Sequence, residues 1–328
     1  MVHKVKNFFK EHPIRVAFAT FCVLLVAGTQ LWERYAPFSI HSHNQEEIGR
    51  IRVKNTDRFS FVVLGDSAGN YSDFESLLRA IDHDMEASFV IDIGDLVQRG
   101  RKGLYRRFLN QVKESITIPF LTAIGNYDLK GGSDQYQEVF GPAHYSFRVG
   151  QSCFIFLDIF EEGRFDGAER QWLEEELKKG QSLKTLLVFM HILPFDPRGE
   201  AFNNSFTEKD RKDLLALLNR YRVTHLFASH IPGYFSGVWE GIPYTITGSG
   251  GVRSQGSDPN HLLHYYVKVY VDGEMVDTVI KPVDSKDTIR HFFDIVRGWG
   301  LDWGPFFGMV ISLILVALSL RNRCCLHK

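Results

Sequence analysis

The chain has few cysteines and no excess of positive charge, and each shortage excludes a class of protein. Four of its 328 residues are cysteine; three of these lie in an apolar run or at the C-terminal end, as Cys22, Cys324 and Cys325. Cys153 is therefore alone in the body of the chain, so no disulfide forms there and cysteine usage does not fix a redox compartment. The formal net charge of −1 gives no basis for nucleic-acid binding, which demands a basic patch. We expect no nucleic-acid partner.

Charged residues are also absent from two apolar segments, 16–32 and 303–320. Each segment is close to the ~20 residues that a membrane-spanning helix needs. Basic residues lie in 1–15 and in 321–328, outside the two segments. By the positive-inside rule both termini are cytoplasmic, and the intervening chain lies on the extracytoplasmic (periplasmic or lumenal) side. The sequence thus predicts an integral membrane protein, with two alternatives open: a cleaved signal peptide for the first segment and a buried helix for the second.

The chain between the two apolar segments divides into three parts. Residues 33–57 are polar without a clear period, which predicts a linker or a cover strand, and residues 58–282 form the folded domain. Residues 283–302 carry apolar side chains at helical spacing, namely Ile289, Phe292, Phe293, Val296 and Trp299. This juxtamembrane segment is amphipathic, and either lies at the membrane surface or packs on the domain.

Hydrophobic period and turn residues predict the elements of the domain. Helices are expected near 72–85, 102–115, 167–179 and 207–220. A hairpin is expected over 145–157, and the last third is rich in strands, at 233–239, 243–247, 262–271 and 274–281. Alternating strands and helices followed by antiparallel strands indicate an α/β domain with two packed sheets.

Five short polar segments carry the chemistry of the domain, and each follows an apolar run that predicts a buried strand. They are Gly65-Asp66-Ser67, Gly94-Asp95, Gly125-Asn126-Tyr127-Asp128, Met190-His191 and Ser229-His230-Ile231-Pro232. In open α/β sheets the carboxyl ends of the strands form the edge where ligands bind. Two Asp, one Asn and two His at one edge predict a metal site.

The order and spacing of these five segments resemble the calcineurin-like metallophosphoesterase superfamily. Its pattern is Asp-x-His, Gly-Asp, Gly-Asn-His-Asp/Glu, a lone His and Gly-His-x-His. The resemblance covers residues 58–282. It implies a four-layer αββα sandwich of two mixed sheets, flanked here by the two transmembrane helices.

Four positions depart from the superfamily pattern. Ala68 replaces a His ligand of the first segment, and Pro232 replaces the second His ligand of the last segment. Tyr127 replaces the His that usually acts as the general acid, and Ser229 replaces a Gly. Both missing ligands belong to the same metal, so the departures concentrate in one half of the site.

The resemblance assigns the metal ligands unevenly between two cations. One cation keeps Asp95, Asn126, His191 and His230, whereas the other keeps only Asp66 and the bridging Asp95. We therefore expect one tight divalent metal ion, Mn, Zn or Fe, with the second site stripped. Ser67 or Asn70 are candidate replacement ligands there, and oxygen ligands favour Mn or Mg.

The resemblance also implies a mechanism, in which hydroxide held by the metals attacks phosphorus in line. Tyr127 is the candidate catalytic acid, since its phenol is more acidic than an alkoxide leaving group. Asp128 is the second candidate catalytic residue, and either holds the residue at position 127 or closes a turn.

The expected function is that of a membrane-tethered, metal-dependent phosphoric ester hydrolase, either phosphodiesterase or phosphomonoesterase. Its expected substrate is a phosphorylated small molecule or lipid, a glycan or an envelope precursor. The alternative is a catalytically degenerate relative that serves as a binding or interaction module. The complete ligand set of one metal favours the enzyme, and the altered catalytic positions favour the binding module.

Overall fold

A computed structural model describes residues 41–68, 71–158, 167–199, 206–248 and 264–283, with residues 21, 28 and 165. Nearly all of them belong to one unit, Phe38–Lys286. Among these described residues, no helix combines the length and the apolar character that crossing a bilayer requires. The predicted spans and the amphipathic juxtamembrane segment lie outside the described residues, apart from Phe21, Gly28 and Val283.

The described chain forms eleven strands and seven helices. The strands are β1 Arg58–Leu64, β2 Ala87–Asp92, β3 Phe120–Thr122, β4 Tyr145–Val149, β5 Ser152–Leu157, β6 Thr185–Met190, β7 His225–Ala228, β8 Gly233–Trp239, β9 Ile242–Gly248, β10 Tyr265–Asp272 and β11 Met275–Pro282. The helices are α1 His43–Arg50, α2 Tyr71–Asp82, α3 Lys102–Ser115, α4 Asn126–Leu129, α5 Ser133–Phe140, α6 Gly167–Gly180 and α7 Glu208–Arg220.

The strands form two mixed sheets, as predicted. The first has the order β11-β10-β1-β2-β3 and the second β4-β5-β6-β7-β9-β8. In the first sheet β1, β2 and β3 are parallel, and β10 runs antiparallel to both of its neighbours. In the second sheet β5, β6, β7 and β9 are parallel, with antiparallel edge strands β4 and β8.

The elements stack in the order helix, sheet, sheet, helix. Aromatic side chains fill the space between the sheets, where Phe61 stacks on Phe89 at 5.1 Å and meets Phe154 edge-on at 5.3 Å. A second core joins the first sheet to α2, α3 and α5, and a third joins the second sheet to α6 and α7. Strands buried on both faces read as continuous apolar runs rather than alternating ones, which is why β5 and β6 are evident in the sequence.

The structure corrects the prediction that residues 33–57 are a linker or a cover strand, because α1 lies within them. This helix covers the edge strand β3 with polar side chains. The Asn44 amide donates to the carbonyl of Thr122 at 3.0 Å and accepts from its N–H at 2.9 Å. Glu47 accepts from the N–H of Phe120 at 3.0 Å.

These contacts satisfy backbone groups that an edge strand otherwise exposes. Polar side chains of α1 make the hydrogen bonds to β3 that a further strand would make. The segment therefore lacks the apolar period by which helices are recognised in a sequence.

The carboxyl ends of the parallel strands of both sheets meet at one edge of the sandwich. There the loops after β2 and β3 pack backbone against backbone. A Cβ added to Gly94, whose φ is +91°, lies 2.7 Å from the nitrogen of Gly125. A Cβ on Gly125 lies 2.1 Å from the nitrogen of Asp95. Only glycine allows this approach, which brings Asp95 and Asn126 side by side.

Candidate metal centre

The predicted metal ligands come from five strand ends. Asp66 follows β1, Asp95 follows β2, and Asn126 begins α4 just after β3. His191 directly follows β6, and His230 follows β7. The first three come from one sheet and the two histidines from the other, so the candidate site joins the two sheets at their common edge.

Four of the five predicted ligands converge. One ligand atom from each of Asp95, His191 and His230 lies within 4.8 Å of the other two. The Oδ1 atom of Asn126 lies 3.1 Å from Nε2 of His191 and 3.0 Å from Nδ1 of His230. Nε2 of His191 is 3.3 Å from Oδ2 of Asp95. The donor set is thus one carboxylate, one amide oxygen and two imidazoles.

The ring of His191 is held in the orientation that a metal ligand needs. It is fully buried, and its Nδ1 lies 2.7 Å from the carbonyl oxygen of Ile93. A ring that donates its Nδ1 proton to a carbonyl directs Nε2 at the site, as metal-ligating histidines commonly do. This donor set and orientation fit a borderline cation such as Zn, Fe or Mn.

The charges of the cluster favour a positive group at its centre. Burial lowers the pKa of His191, but the Asp95 carboxylate outweighs it and raises the pKa to about 9. Burial raises the pKa of Asp95, yet the charge and hydrogen bond of His191 hold it below its usual value. For His230, burial and repulsion from His191 lower the pKa to about 4, which keeps that imidazole neutral.

Three of the predicted ligands have strained backbones. Asp66, Asp95 and His230 have φ values of 56°, 57° and 65°, in the left-handed region that L-residues other than glycine seldom adopt. Such strain costs on the order of 1–3 kcal/mol per residue and concentrates at functional sites. Its presence at three of the five strand ends that carry predicted ligands supports a functional site at this edge.

The carboxylate of Asp66 does not converge with the other four ligands. The Ser229 hydroxyl donates to its Oδ2 at 2.6 Å, and the backbone N–H of His230 also bonds it. Burial raises the pKa of Asp66 to about 6. A Cβ on Gly248 would lie 2.6 Å from the same Oδ2 atom. Protein atoms therefore enclose this carboxylate oxygen.

The two predicted catalytic residues differ in burial: Tyr127 is partly exposed, and Asp128 is buried. Tyr127 is 39% exposed, and the Lys130 ammonium lies 3.4 Å from the centroid of its ring. Asp128 is fully buried, and its carboxylate accepts from the N–H groups of Gly125 at 2.9 Å and Leu96 at 3.3 Å. The bond to Gly125 closes the turn of Asp128, and the bond to Leu96 ties that turn to the loop after β2.

Sequence reasoning missed three polar side chains at this edge. Asp92 ends β2 fully buried, and burial raises its pKa well above the usual value. Asp196 and Arg198 form an ion pair in the loop after β6. The sequence did indicate Asp92, because an acidic residue within the apolar run Phe89–Ile93 is unusual. A pair of neighbouring charges in a loop is no signal by itself.

Comparison with known proteins agrees with this fold. The family model of the calcineurin-like phosphoesterases matches residues 59–234. A probable cyclic nucleotide phosphodiesterase of Rhodopseudomonas palustris is 24% identical over 172 residues, which is 49% of this chain and 62% of that protein. The present chain thus matches less than two thirds of that relative.

Two solved structures share the fold. A purple acid phosphatase from yellow lupin, Lupinus luteus, superposes with a TM-score of 0.57 at 17% identity, over 70% of this chain and 53% of that one. A dimetal phosphatase from Danio rerio superposes with a TM-score of 0.54 at 15% identity, over 68% and 96% of the two chains. The family model spans more than half of the sequence, and the two mixed sheets match the fold of these neighbours. The chain therefore belongs to the calcineurin-like phosphoesterase family, which confirms the predicted metallophosphoesterase class.

Proposed function

We propose that this protein is a phosphoric ester hydrolase that works with one tightly bound divalent metal ion. The observation that carries the proposal is the convergence of Asp95, Asn126, His191 and His230 on one point. Family membership supports it. The substrate is a phosphorylated small molecule, lipid, glycan or envelope precursor, hydrolysed as a diester or a monoester.

The residues of the chain divide the work of the reaction. Asp95, Asn126, His191 and His230 would hold the cation, which when bound supplies Lewis acidity and lowers the pKa of water towards ~7. The Ile93 carbonyl fixes the ring of His191, and the backbone N–H of Tyr127 fixes Asp95 through a 2.7 Å bond to Oδ1. Tyr127 directly follows the ligand Asn126 and is partly exposed, and we propose its phenol as the acid that protonates the leaving oxygen.

Hydrolysis of an aryl phosphodiester by the full-length chain tests this function. The parent should hydrolyse it slowly with Mn, Zn or Fe, and His230→Ala should lose most of that rate because one imidazole ligand is missing. His83→Ala, an exposed histidine at the end of α2, is the control and should keep the parental rate. Equal trace rates for parent and His230→Ala with every metal contradict the proposal.

We further propose that two membrane segments, 16–32 and 303–320, tether the domain on the extracytoplasmic side. The basic residues outside both segments support this topology. Reporter fusions at residue 45 and at the C-terminus should report opposite sides of the membrane. The same side for both fusions contradicts the two-span topology.

A second candidate function is a binding module without catalysis. The bond from Ser229 to Asp66 favours it, because a family ligand is engaged by a protein hydroxyl at 2.6 Å. The two candidates differ in one result. If the protein is a binding module, the parent and His230→Ala are equally inactive. If it is an enzyme, His230→Ala loses activity that the parent has.

A further inference from the structure

The outermost strand of the first sheet, β11, has a strand neighbour on one side only within the described part of the chain. It pairs antiparallel with β10 along its whole length, Met275–Pro282. The strand at the other end of the same sheet, β3, is covered by side chains of α1. An uncovered edge strand of 8 residues is a template on which a further strand can pair.

A backbone hydrogen bond fixes which residues of β11 direct their N–H and C=O groups at the free edge. The N–H of Val283 donates to the carbonyl of His264 at 2.7 Å, and this pair continues the register of β10 and β11. In an antiparallel ladder, hydrogen-bonded and non-hydrogen-bonded positions alternate. The odd-numbered residues of β11 therefore bond β10. The backbone groups directed at the free edge are those of Val276, Thr278 and Ile280.

The side chains of β11 alternate between the two faces of the sheet. Val276 and Ile280 pack against the core between the two sheets. Met275 and Val279 lie on the other face, where they are 62% and 42% exposed. Apolar side chains on an edge strand are partly shielded from water when the sheet continues beyond them.

Two opposite charges lie symmetrically about Val279 on that exposed face. Asp277 precedes Val279 by two residues, and Lys281 follows it by two. Within the described part of the chain, neither Asp277 nor Lys281 takes part in an ion pair. Charges of one sign on an edge strand repel a second copy and so protect the edge. Opposite charges at equal distances from a central residue attract a second copy instead.

We propose that β11 is a dimer interface, at which it pairs antiparallel with β11 of a second copy of this chain about a two-fold axis at Val279. In this register Val279 faces its own counterpart, and Asp277 of each copy lies opposite Lys281 of the other. The contact is isologous, the geometry of the commonest homo-oligomers. It joins the first sheets of the two copies into one continuous sheet.

The backbone of β11 fits this register. Val279 occupies a non-hydrogen-bonded position, and Thr278 of each copy exchanges two hydrogen bonds with Ile280 of the other. Pro282 lies opposite Val276, where its carbonyl accepts a bond and its missing N–H costs one bond at each end of the ladder. Shifting the second copy by two residues in either direction separates the opposite charges, so the charges select a single register.

Disulfide formation in the full-length chain tests this geometry. Residues facing each other at a non-hydrogen-bonded position have Cα atoms ~4.5 Å apart, a separation that a disulfide spans. Val279→Cys should therefore crosslink two copies under mild oxidation, well above the background from the cysteines of the parent. Met275→Cys is the matched control and is the more exposed position. It should stay at background, because its counterpart lies about eight residues along the strand, ~27 Å away.

Charge reversal tests the pairing of Asp277 with Lys281. Sedimentation equilibrium of the full-length chain in detergent measures the dimer dissociation constant. Asp277→Lys and Lys281→Asp each turn two attractive contacts into repulsive ones, and should weaken the dimer about 10-fold or more. The double variant has the net charge of the parent and opposite charges in each pair, so it should recover the parental dissociation constant.

Four results overturn the proposal. They are a parent that stays monomeric at every concentration tested, equal crosslinking of Val279→Cys and Met275→Cys, single charge variants that dimerise as the parent does, and a double variant as weak as the single ones. None of the substituted residues is a proposed metal ligand, so these outcomes are independent of the proposed hydrolysis.

Discussion

At the scale of single residues, the hydroxyl of Ser229 fixes the carboxylate of Asp66 by a hydrogen bond. That hydroxyl lies 2.6 Å from Oδ2 of Asp66 and 3.0 Å from the carbonyl oxygen of Thr247. Asp66 lies at the end of a strand of the first sheet and Ser229 follows a strand of the second, so this bond joins the two sheets. We predict that it holds the carboxylate of Asp66 without a second cation.

Ser229→Ala should lower the free energy of unfolding by about 1–3 kcal/mol, because buried Asp66 loses a hydrogen-bond donor. Urea unfolding measures the change. Ser236→Ala, at an exposed position of β8, should change stability by no more than about 0.5 kcal/mol. Equal stability of Ser229→Ala and parent shows that the hydroxyl does not hold Asp66.

Tyr127→Phe tests the proposed role of Tyr127 as general acid. The variant should slow hydrolysis of an alkyl phosphodiester by about 10²–10⁴, the usual contribution of a general acid. An aryl ester departs without a proton, so its rate should change little and serves as the control. Equal slowing of both esters assigns Tyr127 to substrate binding instead of proton transfer.

At the scale of elements, α1 closes the edge of the first sheet with side chains. Asn44→Ala should lower the free energy of unfolding by about 1–3 kcal/mol, because the buried N–H of Thr122 loses its acceptor. Gln45→Ala, the exposed neighbour, should be neutral. Urea unfolding measures the free energy of unfolding of both variants. If both values match that of the parent, α1 does not stabilise this edge of the sheet.

Helix α1 is also the kind of element that the sequence does not predict. The paired strands and the helices α2, α3, α6 and α7 follow from hydrophobic period. The expected helix at 207–220 is capped by Thr207, whose side chain accepts from the N–H of Asp210. The helix α1 is stabilised by polar contacts to a strand distant in sequence, and no local pattern records such contacts.

The candidate site divides in the same way. Asp95, Asn126, His191 and His230 follow strand ends, so their convergence was predictable from strand order. The bond from Ser229 to Asp66 and the ion pair of Asp196 with Arg198 depend on how loops pack, which the sequence does not encode locally.

At the scale of the whole molecule, buried His225 makes stability depend on pH. Burial lowers its pKa to about 4, and its Nε2 lies 2.9 Å from Oγ1 of Thr245. Below a pKa near 6.5 the unfolded chain takes up a proton that the folded chain refuses. The contribution of His225 to stability is therefore complete above pH ~6.5 and falls as the pH drops towards 4.

This loss amounts to about 3 kcal/mol at most, from the difference of the two pKa values. Urea unfolding between pH 7 and pH 4 measures it, with His225→Gln as the comparison. The variant should show a shallower decline because it carries no titrating ring. Parallel declines in both proteins assign the pH dependence to other groups.

The count of tightly bound metal ions tests directly whether the cluster of Asp95, Asn126, His191 and His230 holds one cation, as we propose. Elemental analysis of the full-length chain after exhaustive dialysis should give about one equivalent of transition metal per chain, a stoichiometry that follows from the four converging ligands. His191→Ala should give nearly none, and His83→Ala should match the parent. Two tight equivalents in the parent, or equal metal in parent and His191→Ala, would contradict the account.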